Sequence, residues 1–429
     1  MMPFLKYALP VALVGILLLP LALTSAAPQD RVLVYINTPD PEQRKEIQSR
    51  ADVSVRFEFP NGWFSAEVPS HVKDRLANAA GIKVEDVSIF TVIAPKFCEP
   101  GSNHPSCSDG SSTTSRTATP EDQTPWGIEA IYGNRSITST SEGANVQVAV
   151  LDTGVNKNHP DLVSRIKDCK DFTGGSVKSS CNDGNGHGTH VTGTIAADAG
   201  SDKLGIYGVA PAAEIYAYKV CTNGGLCFGD SIATALRAAA GHTNRAEIVS
   251  MSFGGGSLSS VEKNALDYAY GKGVLLVAAA GNSGPNLNTI NYPAAYWKVV
   301  AVTALQFTGS SSDAFSQSNL KVPDFSSRGK DNTWSSTLSN NERRVEVAAP
   351  GVSIESTWND GTYKKLSGTS MATPYISGLA AKVWNSQGGN ADAVRNWLDS
   401  RAGNFDITLG QYTANGYDAA SGLGLPQVP

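Results

Sequence analysis

The chain has 429 residues, 41% of them apolar and 17% charged, which is globular in composition and too long for one ordinary core, so at least two units are expected. Its formal net charge of −5 is small for this length and points to neither nucleic acid nor a membrane surface as partner.

The first element is apolar. Lys6 precedes Tyr7 to Leu23, a stretch broken by Pro10 and Pro20 and followed by TSAA, which reads as a secretory signal over 1–27, cut near Ala26 or Ala27. The rival is a transmembrane anchor, but the stretch falls short of the roughly 20 residues that a span needs. No later segment is long and apolar enough to span. Export sets the redox context for six cysteines that fall as neighbours in sequence. Six can pair in about 15 ways, and clustering favours Cys98–Cys107, Cys169–Cys181 and Cys221–Cys227.

Residues 28–94 form a second unit. RVLVYIN alternates as a strand, PDPEQRKEIQSRA has helical polarity, and VRFEFP and WFSAEVP read as strands around the turn Asn61-Gly62. SHVKDRLANAAG reads as a helix capped by Ser70 and closed at Gly81, and VEDVSIFTVI as a last strand. The order βαββαβ is an α+β, ferredoxin-like arrangement. Residues 95–124, rich in Ser, Thr, Pro and Gly, read as a linker.

From residue 125 to 429 apolar strands alternate with helices. NVQVAVLDTG, EIYAYKV, EIVSMSFGG, GVLLVAAAGN and KVVAVTAL are the strands; SIATALRAAAGH and SSVEKNALDYAYGKG are helices, the second with a capping box from Ser259 to Glu262. Such alternation predicts an α/β domain with a parallel sheet covered on both faces, and sites beyond the carboxyl ends of its strands.

Polar residues stand where that rule places a site. Asp152 ends one apolar strand, Asn282 another, and the serines of SMSFGG a third. A buried carboxylate needs a donor, and histidine is suited to the task. Of six histidines, His71 lies in the second unit, His104 in the linker, His159 in the turn HPDL, and His242 at a helix end. His187 and His190 stand in DGNGHGTHVTG, before an apolar helix. They could serve catalysis, pack in the core, or bind a metal, although no HExxH pattern accompanies them. SGTSMATPYISGLAA, Ser367 to Ala381, opens a helix on small residues. Ser370 then sits where backbone N–H groups can face an anion, either as a nucleophile or as an ordinary helix cap.

VAVLDTG, HGTHVTG and GTSMATP, in the order Asp, His, Ser with AAAGN between the last two, resemble the subtilisin-like serine proteases, the subtilases. The resemblance covers about Pro125 to the C-terminus. It implies that Asp152 orients His187, that His187 takes the proton of Ser370, and that Ser370 attacks the scissile carbonyl. Asn282 and the Ser370 N–H would hold the oxyanion. A histidine base implies activity that falls as pH drops through roughly 6 to 7. By the same carry-over Ser252, Phe253 and Gly254 pair with an extended peptide, Ala280 and Gly281 form a second pocket wall, and Asn291 stands at the pocket base where the family often has Gly. The resemblance further implies a structural calcium ion (Ca2+) held by Asp122, Asp161, Asp202 and the carbonyls of Asp198, Leu204 and Ile206. It makes residues 28–94 a propeptide, chaperone and inhibitor, cut near Ile93 or Ala94. The whole would be a secreted, monomeric endopeptidase acting on protein and peptide substrates.

Overall fold

The computed structural model describes residues 29–37, 41–92, 119–316, 318–403 and 417–428. The predicted signal, His104, Cys98, Cys107 and the bond near Ile93 and Ala94 lie outside the described residues.

In the N-terminal unit, β1 (Gln29–Ile36), α1 (Pro41–Gln48), β2 (Ser54–Glu58), β3 (Trp63–Pro69), α2 (Ser70–Ala77) and β4 (Ile82–Asp86) realise the expected βαββαβ order. The four strands form an antiparallel sheet in the order β2-β3-β1-β4. Two details differ from the sequence reading. Pro69 is the cap of α2, leaving Ser70 as its first helical residue, and α2 ends at Ala77. The last stretch is not one strand: it breaks after β4, and β5 (Ile89–Val92) leaves the sheet altogether. The pleat gives this small sheet two apolar faces. Val32, Val34, Phe64, Ala66 and Val68 pack with Val72 and Leu76 of α2, whereas Leu33, Phe57 and Trp63 pack into the core of the large domain.

The large domain contains α3 (Trp126–Tyr132), β6 (Gln147–Asp152), β7 (Ile166–Asp171), α4 (His187–Ala196), β8 (Glu214–Lys219), β9 (Leu226–Phe228), α5 (Gly229–Gly241), β10 (Ile248–Met251) and β11 (Phe253–Gly254). It continues with α6 (Ser260–Gly271), β12 (Leu275–Ala279), β13 (Val299–Phe307), β14 (Leu320–Lys321), β15 (Val347–Pro350), β16 (Ile354–Thr357), β17 (Tyr363–Leu366), α7 (Thr369–Val383) and α8 (Ala391–Gly403). An 8-stranded sheet runs β14-β13-β12-β10-β6-β8-β7, with β15 beside β13. All its pairings are parallel except that of β14. Val148 and Val150 point to one face, against Val191 and Ile195 of α4 and Ile376 and Leu379 of α7. Ala149 and Leu151 point to the other, against Ile232 and Leu236 of α5 and Val261 and Leu266 of α6. A strand buried on both faces has to be apolar throughout, which is why these segments read as continuous apolar runs.

Residues 121–124, assigned to the linker by composition, bond to the large domain: the Glu121 N–H donates to Glu355 and Gln123 Nε2 donates to the carbonyls of Lys203 and Gly205. Disulfides join Cys169 to Cys181 and Cys221 to Cys227, as expected.

Candidate active site

The site is assembled at the carboxyl ends of β6, β10 and β12. Asp152, the last residue of β6, is 1% exposed and receives the His187 Nδ1 proton on Oδ1 at 2.8 Å. The Thr153 N–H donates to the same oxygen at 2.7 Å. Gly188 explains the closeness of helix to strand, since a Cβ there would collide with the Gly154 carbonyl and stand 3.1 Å from the Asp152 carboxylate. His187 is the first residue of α4, so its ring sits at the helix start, held at a fixed offset from β6.

Asp183 ties the two segments together. Its Oδ1 accepts from Thr153 Oγ1 (2.9 Å), Asn185 N (3.0 Å) and Gly186 N (2.8 Å), and its Oδ2 accepts from Thr189 N (2.9 Å) and Thr189 Oγ1 (2.6 Å). Thr153 Oγ1 in turn accepts from the Gly188 N–H at 2.9 Å. Beneath them Lys219 is nearly buried and donates to the Thr153 carbonyl and to Asn223 Oδ1; burial lowers its pKa.

Ser370 is the second residue of α7 and fully buried. Its hydroxyl donates to the Ser252 carbonyl at 2.8 Å, and the Ser252 hydroxyl donates back to the Ser370 carbonyl at 2.9 Å. His187 Nε2 has no hydrogen-bond partner among the described residues. The structure thus makes the carboxylate–imidazole bond and not the hydroxyl–imidazole one. Thr369 fixes the Asn282 carboxamide, donating to its Oδ1 from both N and Oγ1 at 3.1 Å. Gly281 adopts φ +113°, and a Cβ there would collide with Asn291 Oδ1, so Asn291 lies directly against the 280–282 wall. The Asn291 N–H donates to the Ala280 carbonyl at 2.8 Å.

Between the walls lies β5. It pairs antiparallel with β11, Phe253 opposite Val92 and Gly254 opposite Thr91, and on its other side with β9, Thr91 opposite Leu226 and Phe90 opposite Cys227. The Val92 N–H donates to the Gly225 carbonyl at 2.9 Å. Phe90 lines a small apolar recess together with Ile232, Leu236, Phe253, Leu258, Glu262, Leu266 and Pro293. The sequence reading had placed Ser252, Phe253 and Gly254 on this path and missed its opposite bank, β9. The signal for β9 was available: Gly224-Gly225 flanked by Cys221 and Cys227 is a short hairpin closed by a disulfide.

His190 does not share a site with His187. Its Nε2 faces the carbonyls of Ile354 (2.9 Å) and Lys364 (3.0 Å), and complete burial pushes its pKa down to about 3. His159 likewise turns its Nε2 to the Thr362 carbonyl. Among the described residues no group of three or more His, Cys, Asp or Glu side chains is gathered to hold an ion.

Of the predicted calcium residues, Asp161 and Asp202 border one side of Gly200 in the loop 198–206. A Cβ on Gly200 would stand 3.2 Å from Asp202 Oδ1, 3.3 Å from Asp161 Oδ1 and 3.5 Å from the Pro160 carbonyl, so these oxygens border one small space. Asp161 is buried, which raises its pKa, and its Oδ2 accepts from the Ile206 N–H and the Tyr363 hydroxyl. Asp122 Oδ1 accepts from Thr124 N. The Asp198 carbonyl is met by Lys203 Nζ at 3.1 Å, the Asp198 carboxylate by Arg165, and the Ile206 carbonyl by the Ala199 N–H. Leu204 presents its side chain to solvent.

Comparison with known proteins decides the family. Residues 143–423 match the Subtilase family. The chain is 47% identical to a subtilisin of Bacillus sp. (strain TA39) over 71% of its own length and 72% of that protein's. The chain belongs to the subtilase family. Subtilisin DY of Bacillus licheniformis is 39% identical over 66% of this chain and 92% of its own. Among solved structures sphericase superposes with a TM-score of 0.68 at 47% identity, covering 72% of this chain and 100% of that one. Fervidolysin from Fervidobacterium pennivorans, a keratinolytic enzyme related to subtilisin, is 27% identical with a TM-score of 0.67 and covers 94% of this chain and 60% of its own. This subtilase is therefore a subtilisin-like serine protease, on the mostly parallel sheet that such enzymes share.

Proposed function

We propose that this subtilase is a secreted endopeptidase made as a self-processed precursor, in which Asp152, His187 and Ser370 form the catalytic triad. The observation that carries the reading is the bond from His187 Nδ1 to the buried Asp152 at 2.8 Å, which leaves Nε2 as the nitrogen to take a proton. Asp152 fixes the tautomer and stabilises the imidazolium; His187 deprotonates Ser370, whose oxygen adds to the scissile carbonyl, and the protonated ring then supplies the leaving amine with its proton. Water hydrolyses the resulting acyl-enzyme by the reverse roles. For this the Ser370 hydroxyl must turn from the Ser252 carbonyl to His187. Such contacts tighten when substrate binds. Asn282, oriented by Thr369, and the Ser370 N–H supply the oxyanion donors.

The N-terminal unit acts as propeptide and inhibitor. β5 lies antiparallel between β9 and β11, as a substrate strand would, and strand addition of this kind selects extended or flexible segments of proteins. Phe253 and Gly254 flank β5 at Val92 and Thr91, and with Ser252, Ala280, Gly281 and Asn291 they would bound the substrate path. The enzyme works as a monomer.

A structural calcium ion would be held beside Gly200 by Asp161 and Asp202, which border the space there, with Asp122 and the carbonyls of Asp198, Leu204 and Ile206 as the further donors that the resemblance implies. An ion there would neutralise the desolvated Asp161 carboxylate and pin the loop 198–206.

The test is Ser370→Ala. The variant accumulates as uncut precursor without peptidase activity; normal self-cutting in that variant, with no other protease present, overturns the reading.

A further inference from the structure

Two arginines of the small sheet meet one carboxylate of the large domain, away from the triad. Arg31 on β1 donates from Nε to Asp230 Oδ2 at 3.0 Å and from Nη2 to Ser231 Oγ at 3.1 Å, and that Nη2 also lies 2.8 Å from Asp230 Oδ1. Its guanidinium carbon stands 4.1 Å from the centroid of the Phe228 ring. Arg56 on β2 donates from Nε to Asp230 Oδ2 at 3.2 Å, from Nη2 to the Thr173 carbonyl at 2.8 Å and from Nη1 to Glu67 at 2.6 Å. The Asp230 side chain is 0% exposed, that of Arg56 8% and that of Arg31 12%. Asp230 Oδ1 also accepts from the Ser231 N–H at 2.8 Å, which fixes the carboxylate plane.

We propose that Asp230, Ser231 and the Phe228 ring form a guanidinium-binding site on the catalytic domain, filled in the precursor by Arg31 and backed by Arg56. The inference rests on the reading of residues 29–92 as a docked propeptide. Each feature of the site selects for arginine. Two acceptors at fixed spacing match a planar fork, and the aromatic face matches a delocalised cation; an ammonium can meet one acceptor at a time and is more strongly hydrated. Because the carboxylate is buried, losing its partner leaves a charge uncompensated, so the contact discriminates against surfaces lacking it more than it adds raw affinity. Departure of the N-terminal unit exposes the site beside β9.

The experiment uses full-length Ser370→Ala chains carrying Arg31→Gln, Arg31→Lys or Asp230→Asn. Hydrogen-exchange protection is read at residues 89–92, with strand 275–279 as internal control. Loss of a buried, charge-assisted contact should speed exchange of the β5 amides about tenfold or more in all three, leaving the control unchanged. The double variant Arg31→Gln/Asp230→Asn should show little beyond the larger single effect. Arg31→Lys protected as well as the unmodified chain would reduce the site to simple charge and overturn the proposal, as would protection unchanged in both Arg31→Gln and Asp230→Asn. If Asp230→Asn disturbs the control strand, the two Arg31 variants decide. Self-cutting of the chain with Ser370 intact is scored separately: its failure would overturn the protease reading while the exchange result still decides the site.

Discussion

Asp183 carries more of the active-site geometry than any residue the sequence singled out. Its carboxylate gathers five donors from the turn before α4, from α4 itself and from Thr153, the neighbour of Asp152. Asp183→Asn turns one of its two acceptor atoms into a donor and loosens the offset between His187 and Asp152. Since Ser252–Gly255 is untouched, kcat should fall about tenfold with KM nearly constant, because misplacing a catalytic group is costly even when substrate binding is intact. A rise in KM with kcat unchanged would show that Asp183 serves only the binding surface. Asp152, His187, Asn282 and Ser370 were legible because each stands at a strand end or helix start within a short motif. Asp183 was not, since its role depends on a turn that folds several N–H groups onto one side chain. The hydroxyl–imidazole bond was expected from the motifs, and here the Ser370 hydroxyl lies on the Ser252 carbonyl instead.

The helix α6 shows how one local signal acquires a second meaning on docking. The capping box from Ser259 to Glu262 was read from sequence and is formed, with the Ser259 N–H donating to Glu262 Oε2 at 2.8 Å. What the sequence did not disclose is that the N-terminal unit buries Glu262. Around it stand Ser259 of its own helix, Ser88 of the segment before β5, Asp230 of α5 and the Phe90 recess. Burial is the largest cause that raises its pKa to about 7, and the nearby Asp230 charge adds to it. A carboxyl group raised in the docked form binds a proton there that it releases when exposed. Docking is therefore strongest at low pH, weakens as pH rises from the ordinary glutamate value of about 4.3 towards 7, and changes little beyond. Calorimetry of the Ser370→Ala chain should give a higher unfolding temperature for the N-terminal unit at pH 5 than at pH 8. Glu262→Gln should shrink that difference; an equal difference in both chains would exclude Glu262 as its source. Strands β6, β8, β10, β12 and β13 were all legible as apolar runs. β7 was not, because IKDCKD lies at a half-exposed edge and carries no apolar run. The split of β4 from β5 was missed because both halves read as strand and only tertiary pairing separates them.

The molecule as a whole is a long-range construction. The sheet order places β6 between β8 and β10, and α7, which bears Ser370, packs on β10, β12, β13 and β15 from far along the chain. Such topology folds slowly, and in the proposed propeptide role the N-terminal unit, whose Leu33, Phe57 and Trp63 join a core cluster of the large domain, would offer a surface for it. Two-unit organisation and the α/β class were visible in composition and alternation, whereas the seating of one unit in the cleft of the other could be expected only from the family resemblance. Loop 198–206 follows the end of α4 opposite His187, so removing the proposed calcium ion should act on stability: a chelator should lower the unfolding temperature while brief activity at moderate temperature survives. Instant loss of activity at low temperature would instead place a metal in the chemistry.

Covalent labelling of the processed protein with a serine-directed fluorophosphonate, followed by mass mapping, tests the triad most directly. One adduct on the peptide carrying Ser370, absent from a His187→Ala chain whose N-terminal unit has been removed by an added protease, is the predicted result; labelling elsewhere, or labelling indifferent to His187, would contradict it.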